Sequence, residues 1–338
     1  MQNTLEHTED ILEELERTKW KRAGKTILKD WRLYALLVPL MLYMVLFKYL
    51  PMYGILIGFK RYNASQSIME MEWKGLYFAK MLLIGETSGE FWRAFRNTFM
   101  NSMYGLVFGF PIPIILALLF SEIKNTAYRG FLQVCTYLPK FLSTVVTSSI
   151  ISLWCSAGSS GNTAPGLLNQ LFQAIGLIDS DVGKSLLEYP KYFRPIYQVS
   201  AVWEGAGYGS IVYFAAVIAI SPTNYEAAKI DGASKLQEIR YVTFPGMAPT
   251  LAIMLIMQIG RLLNVGYEKT LLLYNINSYE TADLVSTLVY RWTDGTAGAG
   301  TNGMSEGVIA DLFNSIIAMV LVLGANAISR RVSETALF

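Results

Sequence analysis

Histidine and cysteine are almost absent from this chain of 338 residues. The single histidine, His7, lies in a polar stretch, so histidine-based metal sites and Ser-His triads are excluded. The two cysteines, Cys135 and Cys155, flank one apolar run and would stand at opposite ends of a single helix, too far apart to pair. Most hydrolase classes are thereby excluded, and both thiols are predicted to be packing residues.

Charged residues are also scarce. Only 16% of the residues are charged, whereas soluble proteins carry about 25%. Hydrophobic residues make up 53% of the chain, and the mean hydropathy is +0.34. The formal net charge of +2 supplies no basic surface for nucleic acid. The composition therefore indicates an integral membrane protein.

Six apolar runs approach the length of about 20 residues that a helix needs to cross a bilayer. They cover residues 33–58, 97–121, 131–154, 196–220, 247–265 and 308–328. The second run is uncharged, and the others contain charges typical of bundle interiors or membrane interfaces: Lys48, Lys140, Glu204, Arg261 and Asp311. The sequence thus predicts an all-α membrane protein with six transmembrane helices.

A basic cluster between Lys19 and Arg32 precedes the first apolar run and predicts a cytoplasmic N-terminus. About thirty polar residues come before this run, which argues against a cleavable signal peptide. The first external loop is also basic, so the orientation rests mainly on the N-terminal cluster. We expect a cytoplasmic tail over residues 1–32, a transmembrane domain over 33–330 and a cytoplasmic tail over 331–338.

Two predicted external loops have features of their own. Residues 167–175 carry apolar side chains at helical spacing over a stretch too short to span, which favours an interfacial helix. Residues 266–303 end in a glycine-rich run and are expected to form a mobile loop.

A polar segment interrupts the apolar pattern between the fourth and fifth runs. Thr223 followed three residues later by Glu226 predicts a capping box at the start of a short helix. Gly232 is suited to ending that helix, and Pro245 to starting the next one into the membrane. On these grounds alone, Glu226 could serve only to cap its own helix.

The spacing within this segment resembles a known motif. Glu226-Ala227-Ala228 is followed by three residues, Gly232, nine residues, Val242, one residue and Phe244-Pro245. This pattern closely resembles the EAA motif of permease subunits in binding-protein-dependent ABC importers. In that family the loop is a coupling helix that contacts the ATPase subunit, and the resemblance places Glu226, Ala227, Ala228, Gly232 and Pro245 at this contact.

Further stretches look like the carbohydrate-uptake branch of this family, specifically its LplB-type polysaccharide permeases. They are residues 47–54, 91–98, 165–169, 264–269 and 333–338. The resemblance implies a MetI-like type I importer fold in a bacterial cytoplasmic membrane and uptake of oligosaccharides. It also implies a heterodimer with a second homologous permease, two ATPase subunits and an extracytoplasmic solute-binding protein.

The chain lacks a nucleotide-binding loop of its own. Gly24-Lys25-Thr26 and Gly183-Lys184-Ser185 resemble the end of a P-loop, but Lys19 and Ile178 stand where the first glycine belongs. We therefore expect no cofactor on this chain, with ATP and Mg²⁺ held by partner subunits.

Polar residues in the fifth run are candidates for a substrate pathway. Gln258, Arg261 and Asn264 are spaced three residues apart on one predicted helical face, which Glu268 continues. They would line a cavity and hydrogen-bond sugar hydroxyls, with Arg261 facing a carboxylate if the glycan is acidic. Alternatively, Arg261 pairs with an acidic residue or with carbonyl groups inside the bundle.

Trp203, Glu204 and Tyr208 in the fourth run combine an aromatic platform with a hydrogen-bonding group, which suits a sugar. Aromatic side chains at this depth also serve as packing residues or interface anchors.

Three other functions remain as alternatives. The motif is equally compatible with an ABC permease for a non-sugar solute. An ion-driven secondary transporter would need no docking loop. A membrane-embedded enzyme would need convergent catalytic groups, and the sequence offers none.

Overall fold

A computed structural model describes residues 29–158, 164–178, 184–263, 265–294 and 302–332, with side chains up to Arg330. Regular structure in these ranges is helical apart from one isolated bridge between Lys60 and Trp73. Most of both predicted tails, and the second stretch resembling a P-loop up to Gly183, lie outside the described residues. The proposed domain limits therefore stay predictions.

The chain divides into two compact units, Met1–Leu56 and Ile57–Phe338. The described part of the first unit contains the helix α1 (Trp31–Met44), a π turn over Val45–Tyr49 and the beginning of a 3-10 stretch over Leu50–Phe59. No residue of α1 is buried, although the helix is almost entirely apolar. Such a surface is stable in lipid rather than in water.

The second unit contains the remaining helices. Its first half comprises α2 (Tyr77–Leu83), α3 (Ser88–Gly109), α4 (Pro111–Glu122), α5 (Thr126–Tyr137), α6 (Thr144–Cys155) and α7 (Leu167–Ala174). Its second half comprises α8 (Pro190–Ile218), α9 (Pro222–Ile230), α10 (Lys235–Glu238), α11 (Phe244–Gly260), α12 (Tyr267–Leu273), α13 (Tyr279–Ala282), α14 (Val285–Thr293) and α15 (Gly303–Val332). The short helix predicted over residues 167–175 is confirmed as α7.

Five helical stretches in the described ranges are long and apolar enough to cross a membrane. They are Trp31–Phe59, Ser88–Glu122, Pro190–Ile218, Lys235–Gly260 and Gly303–Arg330. Each coincides with a predicted run. The bent pair α5–α6 provides a sixth span if its two arms are counted together.

The third predicted run is not one straight helix. Its two arms meet at 93°, with a 3-10 turn over Leu138–Phe141 at the first arm's end. Pro139 lies at the start of this turn, and the Ser143 hydroxyl accepts a hydrogen bond from the Val146 N–H (3.3 Å) to begin the second arm. The prediction that Cys135 and Cys155 end one helix is therefore wrong, although both are free thiols.

Three buried clusters hold the second unit together. The cluster nearest Glu226 joins α4, α8 and α11 through Ile114, Ala117, Tyr213, Val217 and Met247. The arm α5 approaches α8 so closely that a side chain at Gly207 would collide with the Thr136 carbonyl group. Glycine at this position permits the contact between the two backbones.

Residues 266–294 are helical and packed, contrary to the mobile loop expected from the sequence. Leu288 and Trp292 of α14 lie in the same buried cluster as Phe91 of α3. The glycine-rich run at 295–301 that suggested mobility lies outside the described residues. Burial of apolar side chains explains why the rest of this segment is ordered.

A buried carboxylate secures this segment. Asp283 is fully buried and forms ion pairs with Arg291 (2.7 Å) and Arg93 (3.4 Å). Burial alone would lower the pKa of Arg291, but the hydrogen bonds and charge of Asp283 raise it above its ordinary value. Asn97 of α3 donates from its amide to the carbonyl groups of Glu280 (2.9 Å) and Asp283 (3.1 Å).

We expect Asp283→Asn to destabilise the protein by about 3 kcal/mol, because Arg291 would be left buried without its counter-charge. The midpoint of thermal unfolding in detergent measures the effect. Glu72→Gln is the control, since the ion pair that Glu72 forms with Lys74 is exposed and its loss should leave the midpoint unchanged. Equal midpoints for both variants would contradict a stabilising role for Asp283.

Candidate functional site

The polar segment around Glu226 comprises residues 221–245 and is called the Glu226 segment below. Its first helix, α9, begins at Pro222 after Ser221, two residues earlier than expected, and no side chain caps its start. The Thr223 hydroxyl instead contacts the Ser221 hydroxyl (2.7 Å). The predicted Thr223–Glu226 capping box is therefore wrong, because proline at the first helical position places Glu226 beyond the first turn.

Gly232 ends α9 as predicted. Its φ of +75° is the left-handed conformation that glycine adopts most readily. The N–H groups of Gly232 and Ala233 donate to the carbonyl oxygens of Lys229 (3.1 Å) and Ala228 (2.9 Å). These two bonds form a Schellman motif, which satisfies carbonyl groups at the end of the helix.

The second helix of the segment continues directly into the membrane span. It begins at α10, where the Ser234 N–H donates to the Gln237 side chain (2.7 Å), and passes through a π turn over Ile239–Thr243 into α11. Pro245 is the second residue of α11, so the predicted restart of the chain at this proline is wrong. The wide turn before Pro245 accommodates its ring and its missing N–H.

Much of the Glu226 segment is exposed. Glu226 and Ala227 are exposed, Ala228 is half-buried, and in the described ranges the Glu226 carboxylate has no partner. Ile230 is 85% exposed and Leu236 is 78% exposed. The segment thus exposes an acidic group and two large apolar side chains, a combination typical of protein–protein contacts.

A cavity with both polar and apolar lining residues lies at the other end of α11. It has a volume of about 250 Å³ and is called the Arg261 cavity. Its polar lining residues are Asn101, Ser102, Tyr197, Gln198, Gln258 and Arg261. Gln198 of α8 donates to both oxygen atoms of Asn101 in α3, the carbonyl (2.8 Å) and the side chain (2.7 Å). Arg261 forms no ion pair within the described part of the chain.

The continuous polar stripe expected from Gln258 to Glu268 does not form. The helix ends at Gly260, Arg261 lies in the turn that follows, and Glu268 belongs to α12. Asn264 lies outside the described residues. The Asn314 side chain donates to the Leu263 carbonyl oxygen (2.9 Å) in the turn. Gln258 and Arg261 nevertheless line the same cavity.

Glu204 forms an ion pair with Lys269 of α12 (2.8 Å). Lys269 is buried, and its ammonium group lies 5.3 Å from the centre of the Tyr197 ring. Burial lowers the pKa of Lys269, against the opposing effect of Glu204. An ion pair inside the bundle was one of the two alternatives for Arg261. The structure forms such a pair between Glu204 and Lys269 instead.

Trp203 and Tyr208 are both exposed and do not line the Arg261 cavity. The Tyr208 ring packs edge-on against Phe141. Sequence reasoning missed Asn101 and Gln198, although each is a polar residue within a predicted span, which is the signal that selected Gln258.

The sequence matches the family of binding-protein-dependent transport system inner membrane components over residues 109–334. The chain belongs to this family. This assignment makes it a transport permease subunit and agrees with the membrane-spanning helices and with the spacing of the Glu226 segment.

Two proteins of Bacillus subtilis (strain 168) resemble the permease over nearly its whole length. Protein LplB is 32% identical over 94% of each chain. The polygalacturonan/rhamnogalacturonan transport system permease protein YteP is 31% identical over 95% of each chain.

Solved structures agree with the fold. A chain in the crystal structure of a bacterial ABC transporter involved in the import of the acidic polysaccharide alginate is 38% identical, with a TM-score of 0.78. The match covers 92% of the permease and 99% of that chain. A second structure shows such a transporter in complex with an alginate pentasaccharide-bound periplasmic protein, again with 38% identity and a TM-score of 0.78. It covers 93% of the permease and 99% of that chain. The predicted MetI-like permease fold is confirmed.

Two substitutions separate the roles of Glu226 and Gly232 within α9. Gly232→Ala should weaken the Schellman motif by about 1 kcal/mol, because alanine is strained at positive φ, and amide exchange in α9 should become roughly fivefold faster. Glu226→Gln should leave exchange unchanged, because Glu226 does not cap the helix. Hydrogen exchange of residues 222–233 distinguishes the two, and faster exchange in Glu226→Gln would reinstate a capping role.

Proposed function

We propose that this permease forms one half of the translocation pathway of an ATP-driven importer of oligosaccharides. The Glu226 segment is the docking surface for an ATPase subunit, and the Arg261 cavity is part of the solute pathway. The observation that carries the proposal is that the Glu226 segment has the family's spacing, is exposed, and connects two membrane spans, α8 and the span beginning at α10.

The shape of the Glu226 segment supports a docking role. Its first helix is ended by a Schellman motif and tied to the following span by a contact between the Tyr225 and Thr243 hydroxyl groups (3.1 Å). A surface held in this way loses little conformational freedom on binding. Exposed Ile230 and Leu236 supply apolar area, and the small side chains of Ala227 and Ala228 permit close approach of a partner backbone.

The ATP and Mg²⁺ of such an importer belong to two ATPase subunits. The remaining partners are a second homologous permease and an extracytoplasmic solute-binding protein. The similar alginate transporter, solved in complex with a periplasmic protein, supports the second of these. Docking of the ATPases requires the Glu226 segment to face the cytoplasm. Both chain termini then lie in the cytoplasm of a bacterial cell with this permease in its inner membrane.

Acidic oligosaccharides are the substrates that the Arg261 cavity suits best. The guanidinium group of Arg261 has five N–H donors in a planar arrangement that matches a carboxylate. The Asn101, Gln198 and Gln258 amides add hydrogen-bonding groups for sugar hydroxyls. Two similar proteins are named for import of such glycans, alginate in one case and polygalacturonan in the other.

The proposal is tested by co-expressing the permease with candidate partner subunits and measuring ATPase activity and uptake with binding protein and a panel of glycans. Uptake of an oligosaccharide coupled to ATP hydrolysis is the expected result. Solute movement by the permease without any ATPase attached would overturn the proposed function.

Ile230→Ser should reduce co-purification of the ATPase, because it removes exposed apolar area from the docking surface. Truncation of a central interface residue typically costs about 1–2 kcal/mol, so we expect roughly tenfold weaker association. Ile84→Ser is the matched control, since Ile84 is also 85% exposed but lies outside the Glu226 segment. The proposed docking surface would be contradicted if both variants lost the same amount of co-purified ATPase, or if neither variant lost any.

Arg261→Gln should lower uptake of uronate-containing oligosaccharides about tenfold relative to neutral ones, which is the usual effect of losing a charge-assisted hydrogen bond. Arg261→Lys retains the charge and should retain part of the preference. Uptake of matched acidic and neutral oligosaccharides by the reconstituted importer measures the ratio. An equal fall for both sugars would mean that Arg261 does not read the carboxylate.

A further inference from the structure

We propose that Lys235 links the Glu226 segment to the end of α4 through Glu122, and that this link transmits ATPase movement to the span formed by α3 and α4. Lys235 and Glu122 are then positioning residues for coupled transport. The inference rests on the proposed function, because it assumes that an ATPase moves the Glu226 segment.

Lys235 stands between two carboxylates on different elements. Its ammonium nitrogen lies 2.9 Å from a Glu122 oxygen and 2.7 Å from a Glu238 oxygen. Glu238 is one helical turn away on the same segment, whereas Glu122 is the last residue of α4. The ammonium group has three N–H donors and can bind both carboxylates at once.

Burial of Glu238 explains why the lysine is well placed. The Glu238 side chain is only 4% exposed, so its charge requires a partner nearby. Lys235 provides this partner, and the contact holds the ammonium group on the side of the segment that faces α4. The outer contact with Glu122 is exposed and therefore weak in itself, which allows it to form and break during transport.

The Glu226 segment is joined to α8 and α11 through the backbone, whereas its contact with α4 is made by side chains. The segment follows α8 along the chain after Ser221 and is continuous with α11, so both spans move with it through the backbone. No comparable backbone connection joins it to α4. A cavity of about 470 Å³ lies between α9 and the end of α4, lined by Leu118 and Tyr225 among others.

The Lys235–Glu122 ion pair crosses the border of this cavity. Deeper in the bundle, α4 packs against α8 and α11 in the cluster that includes Ile114 and Met247. The last residue of α4 is thus attached to the segment that the ATPase would move. The rest of α4 packs against α8 and α11. The α3–α4 span also carries Asn101 of the Arg261 cavity, so movement of α4 reaches the solute pathway.

Glu122→Gln is the decisive variant, because it removes the link to α4 and leaves the Lys235–Glu238 pair intact. The complete importer is reconstituted in proteoliposomes with its solute-binding protein, and the number of sugars imported per ATP hydrolysed is measured. We expect this ratio to fall about threefold, the factor that corresponds to loss of an exposed ion pair. The unfolding midpoint and the amount of bound ATPase should not change.

Matched variants test whether loss of the Lys235–Glu122 ion pair causes the fall in the ratio. Glu122→Asp keeps the charge and should retain most of the coupling ratio, and Lys235→Arg should do the same. Lys124→Gln removes an exposed lysine that lines the same cavity but lies outside the Glu226 segment, so its ratio should equal that of the unmodified importer. The double variant Glu122→Gln with Lys235→Gln should be coupled no worse than Lys235→Gln alone.

An unchanged ratio in Glu122→Gln, in an importer that couples normally, would overturn the link and leave the proposed function standing. A fall in ratio accompanied by a lower unfolding midpoint or less bound ATPase would also overturn it, because the role would then be structural. Failure of the unmodified complex to bind an ATPase or import sugar would instead refute the proposed function.

Discussion

The helical stretch that runs from Lys235 to Gly260 connects the two candidate sites of this permease. Its 26 residues correspond to about 39 Å at the rise of an α-helix. The exposed Glu226 segment leads into one end, and Gln258 and Arg261 stand at the other. Its helical structure is continuous through a π turn and past Pro245 and Pro249, so the two ends are joined by one helical stretch. Within the second unit, α8 and α15 pack against α11.

The supporting contacts differ in kind at the two ends. Past the end of α11, buried charges are paired inside the protein, as at Asp283 and in the Glu204–Lys269 pair. An unpaired charge is costly there, so these groups form fixed supports. At the Glu226 end, the Lys235–Glu122 ion pair is exposed and exchanges readily with water, although Glu238 and Thr243 are buried.

Arg261 differs from these buried groups, because it is exposed. The structure supplies counter-charges to Lys269, Arg291 and Arg93, whereas Arg261 has none within the described residues. It lies where α11 stops, beside the amide pair of Gln198 and Asn101. A cation left available in such a place is suited to a ligand that brings its own negative charge.

Residue patterns were sufficient to predict the membrane class, the positions of the spans and the spacing of the Glu226 segment. These features depend on the length of apolar runs and on residues close together in the chain, and the end of α9 at Gly232 is of the same local kind. Helix packing sets the 93° bend after Pro139, the end of α11 at Gly260 and the order within residues 266–294. The pairing of Glu204 with Lys269 joins residues 65 positions apart, and Lys235 meets Glu122 across two spans. Such contacts arise from the packing of distant helices, which local composition and periodicity do not record.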